Sequence, residues 1–378
     1  MHVPFFVPWI TDEEKKAVIE ALNSRWLTGG PKVREFEEIF AKYIGVEYAV
    51  AVSNCTAALH LAMRSLNIGA GDEVIVPVFT FAATANAPLY VGAKPVFADV
   101  DEKTFNISPE DIQRKISKKT KAIIVVHYGG QPCNMKEIMQ IAEDYNLHVI
   151  EDCAHSLGAE YKNQKTGSIG TIGCFSFYPT KIITTLEGGM VTANDKKLAD
   201  QIRTLREHGM TKGAFNREKE MTWHYDIVNL GYNYRLNEVQ AAIGISQLKR
   251  INEIIERHIE AAHYYTKKLK EIDGIVTPYE SKDSKHVYHL YVIKVLEGKY
   301  GINRDELYKR LSEKGIGLSV HYKPLHLLTF YKRRLKYKEG DFSVAERIFK
   351  EVLSLPIYPT ITKEQMDYVI ENIKTKGL

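Results

Sequence analysis

Lys181 stands in Phe175-Ser-Phe-Tyr-Pro-Thr-Lys181, after an apolar run and a Pro-Thr turn and just before Ile182-Ile183. Desolvation lowers the pKa of such an amine and favours the neutral nucleophile that forms a Schiff base with an aldehyde. Ser176, five residues earlier, offers a hydroxyl for a phosphate, and the glycines of Glu187-Gly188-Gly189 suit a tight turn or a close backbone approach. Asp152 closes the run His148-Val-Ile-Glu-Asp152. A carboxylate at the end of an apolar strand is costly to desolvate unless a cation or strong donor meets it. A protonated pyridine nitrogen is one such partner, and that pair keeps pyridoxal phosphate (PLP) an electron sink. His155, three residues on, can reach the phenolic oxygen of the same ring.

A cradle for the phosphate is also legible. Ser53-Asn-Cys-Thr-Ala-Ala58 follows a strand-like run and opens a helical one, so its free N–H groups and the helix dipole favour an anion. Thr56 adds a hydroxyl. In Pro77-Val-Phe-Thr-Phe81 the ring of Phe81 can stack on a flat cofactor. Each feature has a plainer reading when taken alone: a strand-end aspartate caps helices, a Ser-Asn turn is an ordinary helix start, and a phenylalanine packs in a core. Only their combination points to one cofactor.

The elements that must position these groups follow from the hydrophobic pattern. Short Val- and Ile-rich runs at 48–53, 73–77, 95–100, 122–127 and 148–152 alternate with amphipathic stretches such as 56–66 and 135–145. That alternation predicts a mostly parallel sheet covered on both faces, with ligands gathered beyond the carboxyl ends of its strands. Runs at 173–177 and 189–193 are close enough to complete the sheet as a hairpin-like pair. A helical pattern from about 237 to 272 contains no proline, and a strand (289–294), a helix (304–314) and a strand (317–321) follow it. The expected organisation is a large domain over 1–240, a linking helix over 241–273 and a small α+β domain over 274–378.

Composition excludes several function classes. With 378 residues, 51 basic and 47 acidic, the chain carries a net charge of only +4, too weak and dispersed for a nucleic-acid partner. No apolar stretch is long enough to span a membrane. The start, MHVPFFVPWITDEEKK, turns acidic after a short apolar run and lacks a basic leader, so no secretory signal is expected. Cys55, Cys133, Cys153 and Cys174 form no CxxC pair and are expected to be reduced thiols in a cytoplasmic protein. The thirteen histidines show no metal-binding spacing, and no metal is expected.

Together, Lys181 with Ser176 and Glu187-Gly-Gly189, Asp152 with His155, and Asn54-Cys-Thr-Ala-Ala58 resemble the DegT/DnrJ/StrS family of PLP-dependent nucleotide-sugar aminotransferases. So do Thr80-Phe-Ala-Ala-Thr-Ala-Asn86, Gly231-Tyr-Asn-Tyr-Arg235 and Leu355-Pro-Ile-Tyr-Pro359, in an ordered match running from Trp26-Leu-Thr-Gly-Gly-Pro31 to the C-terminus. The resemblance implies fold type I of PLP enzymes and a homodimer with shared active sites. It implies that Lys181 binds PLP covalently and carries the proton, Asp152 pairs with the pyridine nitrogen, His155 supports the ring oxygen and Phe81 stacks on the ring. Cys55, Thr56 and Ser176 would bind the phosphate, with Asn233 reaching it from the partner subunit and Arg235 nearby. Cys55 stands where glycine is frequent, and His155 where glutamine is also common.

The implied reaction is a ping-pong transfer of an amino group from L-glutamate to a nucleotide-linked keto-deoxy sugar, a 4-keto-6-deoxy hexose. Expected substrate contacts are Thr28, His127, Tyr128, His321, Tyr322, Lys323 and His326. The alternatives are a sugar dehydratase on the same fold, whose relatives replace the lysine with histidine, and a regulatory protein that has lost catalysis. Both Lys181 and Asp152 are present.

Overall fold

The computed structural model describes all of residues 1–378. Seven strands form the main sheet: β1 (Tyr48–Val52), β2 (Glu73–Pro77), β3 (Lys94–Ala98), β4 (Thr120–Val126), β5 (His148–Asp152), β6 (Ile172–Ser176) and β7 (Gly189–Ala193). Their order is β1-β7-β6-β5-β4-β2-β3, with β3, β2, β4, β5 and β6 parallel and β7 antiparallel to both β6 and β1. The strands are buried along nearly their whole length because helices cover both faces, as the unbroken Val/Ile runs require. The register pairs Val126 with Asp152 and Asp152 with Cys174, so the carboxyl ends of β4, β5 and β6 are level. The expected pair at 173–177 and 189–193 is the antiparallel pair β6–β7, and the connection between its strands carries Lys181.

Helices α1 (Asp12–Leu22), α2 (Pro31–Ile44), α3 (Cys55–Ser65) and α4 (Ala82–Tyr90) precede or follow the first strands. Asn54 caps α3, its side-chain oxygen accepting from the Ala57 N–H at 2.8 Å. Gly189 lets β7 pass this cap: a Cβ there would lie 2.6 Å from the Asn54 carbonyl carbon. Phosphate-cradle turn and lysine-bearing connection are thereby pressed together.

The helical pattern from 237 to 272 is two helices, Glu238–Lys249 and Ile251–Leu269, broken at Arg250. No proline or glycine marks the break. Arg250 instead turns its guanidinium onto the buried Glu14 carboxylate at 2.8 Å and over the Trp9 ring. The second helix joins two cores, Ile251, Ile254 and Ile255 packing with the large-sheet residues, and Ala262, Tyr265 and Leu269 with those of the small sheet. That small sheet contains Ile275–Val276, Tyr291–Val295 and Val352–Leu355. The expected strand at 317–321 makes a single bridge, Ser319 to Ser354, before the chain turns toward the large domain. The first residues also depart from expectation. Val3 exchanges backbone hydrogen bonds with Gly315 and Gly317 and its side chain lies in the small-sheet core, so the N-terminus packs on the C-terminal part of the chain.

Candidate active site

Beyond the carboxyl ends of β5 and β6 lies a cavity of about 640 Å³. Cys55, Thr56, Phe81, Asp152 and His155 line it, as do Ser176, Lys181, His321 and Tyr322. Residues 266 positions apart in the chain thus meet there, from the α3 turn to the loop of His321-Tyr322.

Asp152 sits at the end of β5 and is only 4% exposed. Oδ2 accepts from the Thr84 hydroxyl at 2.8 Å and Oδ1 from the Ala154 N–H at 3.1 Å. Thr84 spends its single proton on Asp152, so the 3.0 Å contact between Thr80 and Thr84 must be a donation from Thr80. Burial nevertheless pushes the Asp152 carboxyl above its ordinary range, against the pull of Thr84, the Ala154 N–H and Lys181. A carboxylate in that state fits a cationic ring nitrogen better than it fits an empty apolar wall. Lys181 is held by a turn, its N–H donating to the Tyr178 carbonyl at 2.9 Å. Burial lowers its amine to about 8, while Asp152 and Cys55 act in the opposite sense.

The amides of Cys55 and Thr56 open α3 and have no acceptor within it. With the hydroxyls of Thr56 and Ser176 on the same cavity wall, they form a donor set suited to a phosphate. Phe81 leaves 61% of its surface exposed beside the cavity, as expected for a ring with a flat ligand to cover. Carboxylate, amine, phosphate donors and aromatic ring together fit PLP.

His155 accepts at Nδ1 from the Gly129 N–H at 3.3 Å, and its Nε2 lies 3.0 Å from the Tyr322 hydroxyl. Burial, followed by Lys181, holds it well below the ordinary histidine range. The ring is therefore neutral with its proton on Nε2, and it donates to Tyr322. The Tyr322 proton remains to be offered into the cavity.

Other expected residues lie elsewhere. His127 is fully buried: Nδ1 accepts from the Cys133 N–H and Nε2 donates to Glu151, each at 3.0 Å. Glu151 also accepts from the amides of Gly167, Ile169 and Gly170. His127, Glu151 and Cys153 lie close enough to suggest a metal cluster, but these hydrogen bonds already occupy the imidazole and the carboxylate. His127 is thus no substrate contact; it ties β4 to β5 and to the loop after β5. His326 is equally enclosed, bonded to Glu346 at 2.8 Å and packed on Phe342, because Leu325–Leu327 turns inward. Tyr128 packs against Phe79 and Phe105 and donates its hydroxyl to the His321 carbonyl, fixing the loop rather than facing the cavity. Lys323 is exposed and off the cavity wall, and so is Thr28, which bridges to Asn237. Asn233 bridges to Glu207, and Arg235 lines a separate cleft of about 510 Å³ with its guanidinium 3.9 Å from Glu207. Neither reaches the cavity of its own chain.

Sequence reasoning passes over two further residues, Thr84 behind Asp152 and His289 on the cavity wall. Thr84, in the first turn of α4, is signalled only by a second hydroxyl, Thr80, four residues before it and ahead of the helix. In the sequence His289 is only the start of the expected strand at 289–294, and nothing in its neighbours signals a ligand.

The family profile for DegT/DnrJ/EryC1/StrS aminotransferases matches residues 8–374. The chain belongs to this aminotransferase family. It is 44% identical over 374 residues to the spore coat polysaccharide biosynthesis protein SpsC of Bacillus subtilis, covering 98% of this chain and 96% of that one. It is 39% identical over 373 residues to the GDP-perosamine synthase of Escherichia coli O157:H7, covering 98% of each. A Streptococcus pneumoniae protein assigned as a sugar aminotransferase, solved in PLP and PMP forms, superposes with a TM-score of 0.92 at 31% identity, over 100% of this chain and 99% of that one. The protein is a PLP-dependent sugar aminotransferase of fold type I.

Proposed function

We propose that this aminotransferase moves the amino group of L-glutamate onto the 4-keto carbon of a nucleotide-linked 6-deoxy hexose, the two substrates using the cavity in turn. The observation that carries the reading is a single amine, Lys181, lowered to about 8 and set in the same cavity as the buried Asp152. Asp152 would hold the ring nitrogen of PLP, Cys55, Thr56 and Ser176 its phosphate, Phe81 would stack on the ring, and His155 and Tyr322 would support its phenolic oxygen. PLP, when bound, supplies an aldehyde that captures amines and a pyridinium ring that holds the electron pair left by a departing proton. Once freed by the incoming amine, Lys181 takes the proton from the donor's α-carbon and, in the second half of the cycle, returns one to the sugar carbon that gains nitrogen. Retention of Lys181 and Asp152 favours transfer over dehydration or a purely regulatory role.

The site is completed by a second copy of the chain. Met221, Trp223, Tyr225, Ile227, Val228 and Leu230 form an exposed apolar segment, with Trp223 at 77% and Leu230 at 75% exposure. It leads directly into Asn233 and Arg235, which serve no function in their own chain's cavity. A homodimer buries the segment and brings Asn233 to the partner's phosphate, with Arg235 and Thr28 close by. Names of relatives support the substrate class: one makes GDP-perosamine, and SpsC serves polysaccharide biosynthesis. Exposed cations such as Lys323 suit the diphosphate of a nucleotide-linked sugar.

The test is a pair of half-reactions. L-Glutamate should convert the cofactor's visible band to that of the pyridoxamine form with release of 2-oxoglutarate, and a 4-keto-6-deoxy sugar linked to UDP, GDP or dTDP should restore it. Product NMR fixes the carbon aminated. Failure of every keto sugar after a successful glutamate step would sink the substrate assignment.

A further inference from the structure

The groups that the two proposed substrates set beside the cofactor differ in charge, a dicarboxylic amino acid against an uncharged sugar ring, and the cavity of this chain has little to hold the anionic one. Its only lysine or arginine is Lys181, which the cofactor engages; its carboxylates are Asp152 and Glu187. A dicarboxylic amino donor therefore meets no fixed cation from the same chain. What the cavity offers instead is a set of imidazoles.

His289 is 5% exposed, lines the cavity, and buries Nδ1 without any hydrogen-bond partner. Its ring centroid lies 4.6 Å from that of His155. Nδ1 is sealed from the cavity, so the ring's other nitrogen, Nε2, which no protein group engages, is the atom a ligand can meet, and the unpartnered Nδ1 leaves either nitrogen free to carry the proton. The backbone supports the same reading. Tyr288, just before it, holds φ at +48°, a left-handed conformation that a bulky aromatic residue rarely adopts. That conformation is kept by clamps on both sides. The Val287 and Leu290 amides donate to the carbonyls of Gly130 and Gly129, and His258 donates from Nδ1 to the Tyr288 carbonyl at 3.1 Å. His289 is thereby pinned against the large domain rather than left to swing.

We propose, resting on the amino-transfer reading above, that His289 lets one cavity accept an anionic amino donor and the uncharged ring of a keto sugar in turn, binding a carboxylate as imidazolium and a sugar hydroxyl as imidazole. A fixed guanidinium would stay charged and unpaired whenever the sugar ring replaced the amino acid. An imidazole changes its charge with its ligand. The charged and titratable groups facing His289 are Lys181 from the β6–β7 connection, His155 after β5, His321 from the loop before Tyr322, and His258 from the helix Ile251–Leu269. In the free cavity, burial and then Lys181 hold His289 well below the ordinary histidine range, so it begins neutral. A carboxylate placed beside it favours the charged form by about one to three pKa units and so brings the ring back toward the ordinary histidine range.

The experiment uses holoenzyme and glutarate, a dicarboxylate that cannot react. Calorimetry in two buffers of different ionisation enthalpy, run at several pH values from about 8 down to about 6, counts the protons taken up on binding, while the cofactor's visible band reports the share taken up at the Lys181 nitrogen. The expected result is uptake beyond that share that grows as the pH is lowered toward about 6, lost in His289→Gln together with about tenfold or more of glutarate affinity. Uptake fully accounted for by the band, or unchanged in His289→Gln, overturns the proposal. So does loss of glutarate binding in Arg235→Gln but not in His289→Gln, which would place the cation on the partner subunit. Turnover with L-glutamate is scored separately, so the aminotransferase reading can stand while this one falls.

Discussion

The Thr84 hydroxyl donates to Oδ2 of Asp152 at 2.8 Å while accepting from Thr80 at 3.0 Å. A relay of two hydroxyls, Thr80 just before α4 and Thr84 in its first turn, thus steadies the acid that faces the ring nitrogen. Thr84 acts against burial by favouring the ionised carboxyl. Thr84→Val removes the donor at nearly constant volume, raises the Asp152 pKa further and weakens its pairing with the pyridinium. PLP affinity should fall by about tenfold, the scale of one hydrogen bond to a charged group. Titration of apoprotein with PLP checks it; an unaltered dissociation constant would remove Thr84 from this role.

Asp152→Asn separates catalysis from stability. Losing the carboxylate should lower the rate of the glutamate half-reaction by about 10²–10³-fold, the size seen when a preorganised electrostatic partner is removed. The apoprotein should melt no lower than the parent at pH 7. A carboxyl raised in the folded state destabilises that state once pH exceeds the unfolded value, because the fold binds the proton more tightly than the open chain does. Stopped-flow kinetics and thermal melts, run side by side, read the two effects.

Much of this site could be seen in the sequence because its residues end apolar runs. Asp152 is legible as a polar group at the end of a buried strand, and Lys181 as one following a buried strand and a Pro-Thr turn; β5 ends at the first, and the β6–β7 connection carries the second. Asn54 announces its helix, and the cap is made. The residues assigned to substrate fared worse. His127, Tyr128 and His326 read as sugar contacts by type alone, yet their partners Glu151, the His321 carbonyl and Glu346 are 24, 193 and 20 residues distant. Spacing along a chain says nothing about pairings of that kind. The break at Arg250 was hidden for the same reason, since Glu14 lies 236 residues away. His289 was masked by its strand: only the fold shows that Tyr288 turns it inward.

The pH dependence of cofactor capture follows from Lys181. Its amine is lowered to about 8, and only the neutral form attacks an aldehyde. The rate of covalent PLP capture by apoprotein should therefore rise with pH through about 8 and level off above it. A rise continuing toward the ordinary lysine value, 10.5, would mean that the amine is not desolvated as the structure has it.

The exposed segment Met221–Leu230 predicts how assembly and cofactor binding are linked. Replacing Leu230, 75% exposed, with Glu puts a charge into the apolar face proposed to be shared by two copies. Light scattering should shift from dimer toward monomer, and PLP affinity should fall with it because Asn233 of the partner no longer reaches the phosphate. A monomer that keeps full PLP affinity would show that each chain's cavity is complete by itself.

The central claim is that the Lys181 amine makes the covalent bond to PLP opposite Asp152. Borohydride reduction of the holoenzyme, followed by proteolysis and mass spectrometry, tests it directly. A pyridoxyl-phosphate adduct on Lys181 alone is the predicted result; an unmodified Lys181, or an adduct on another lysine, contradicts the account.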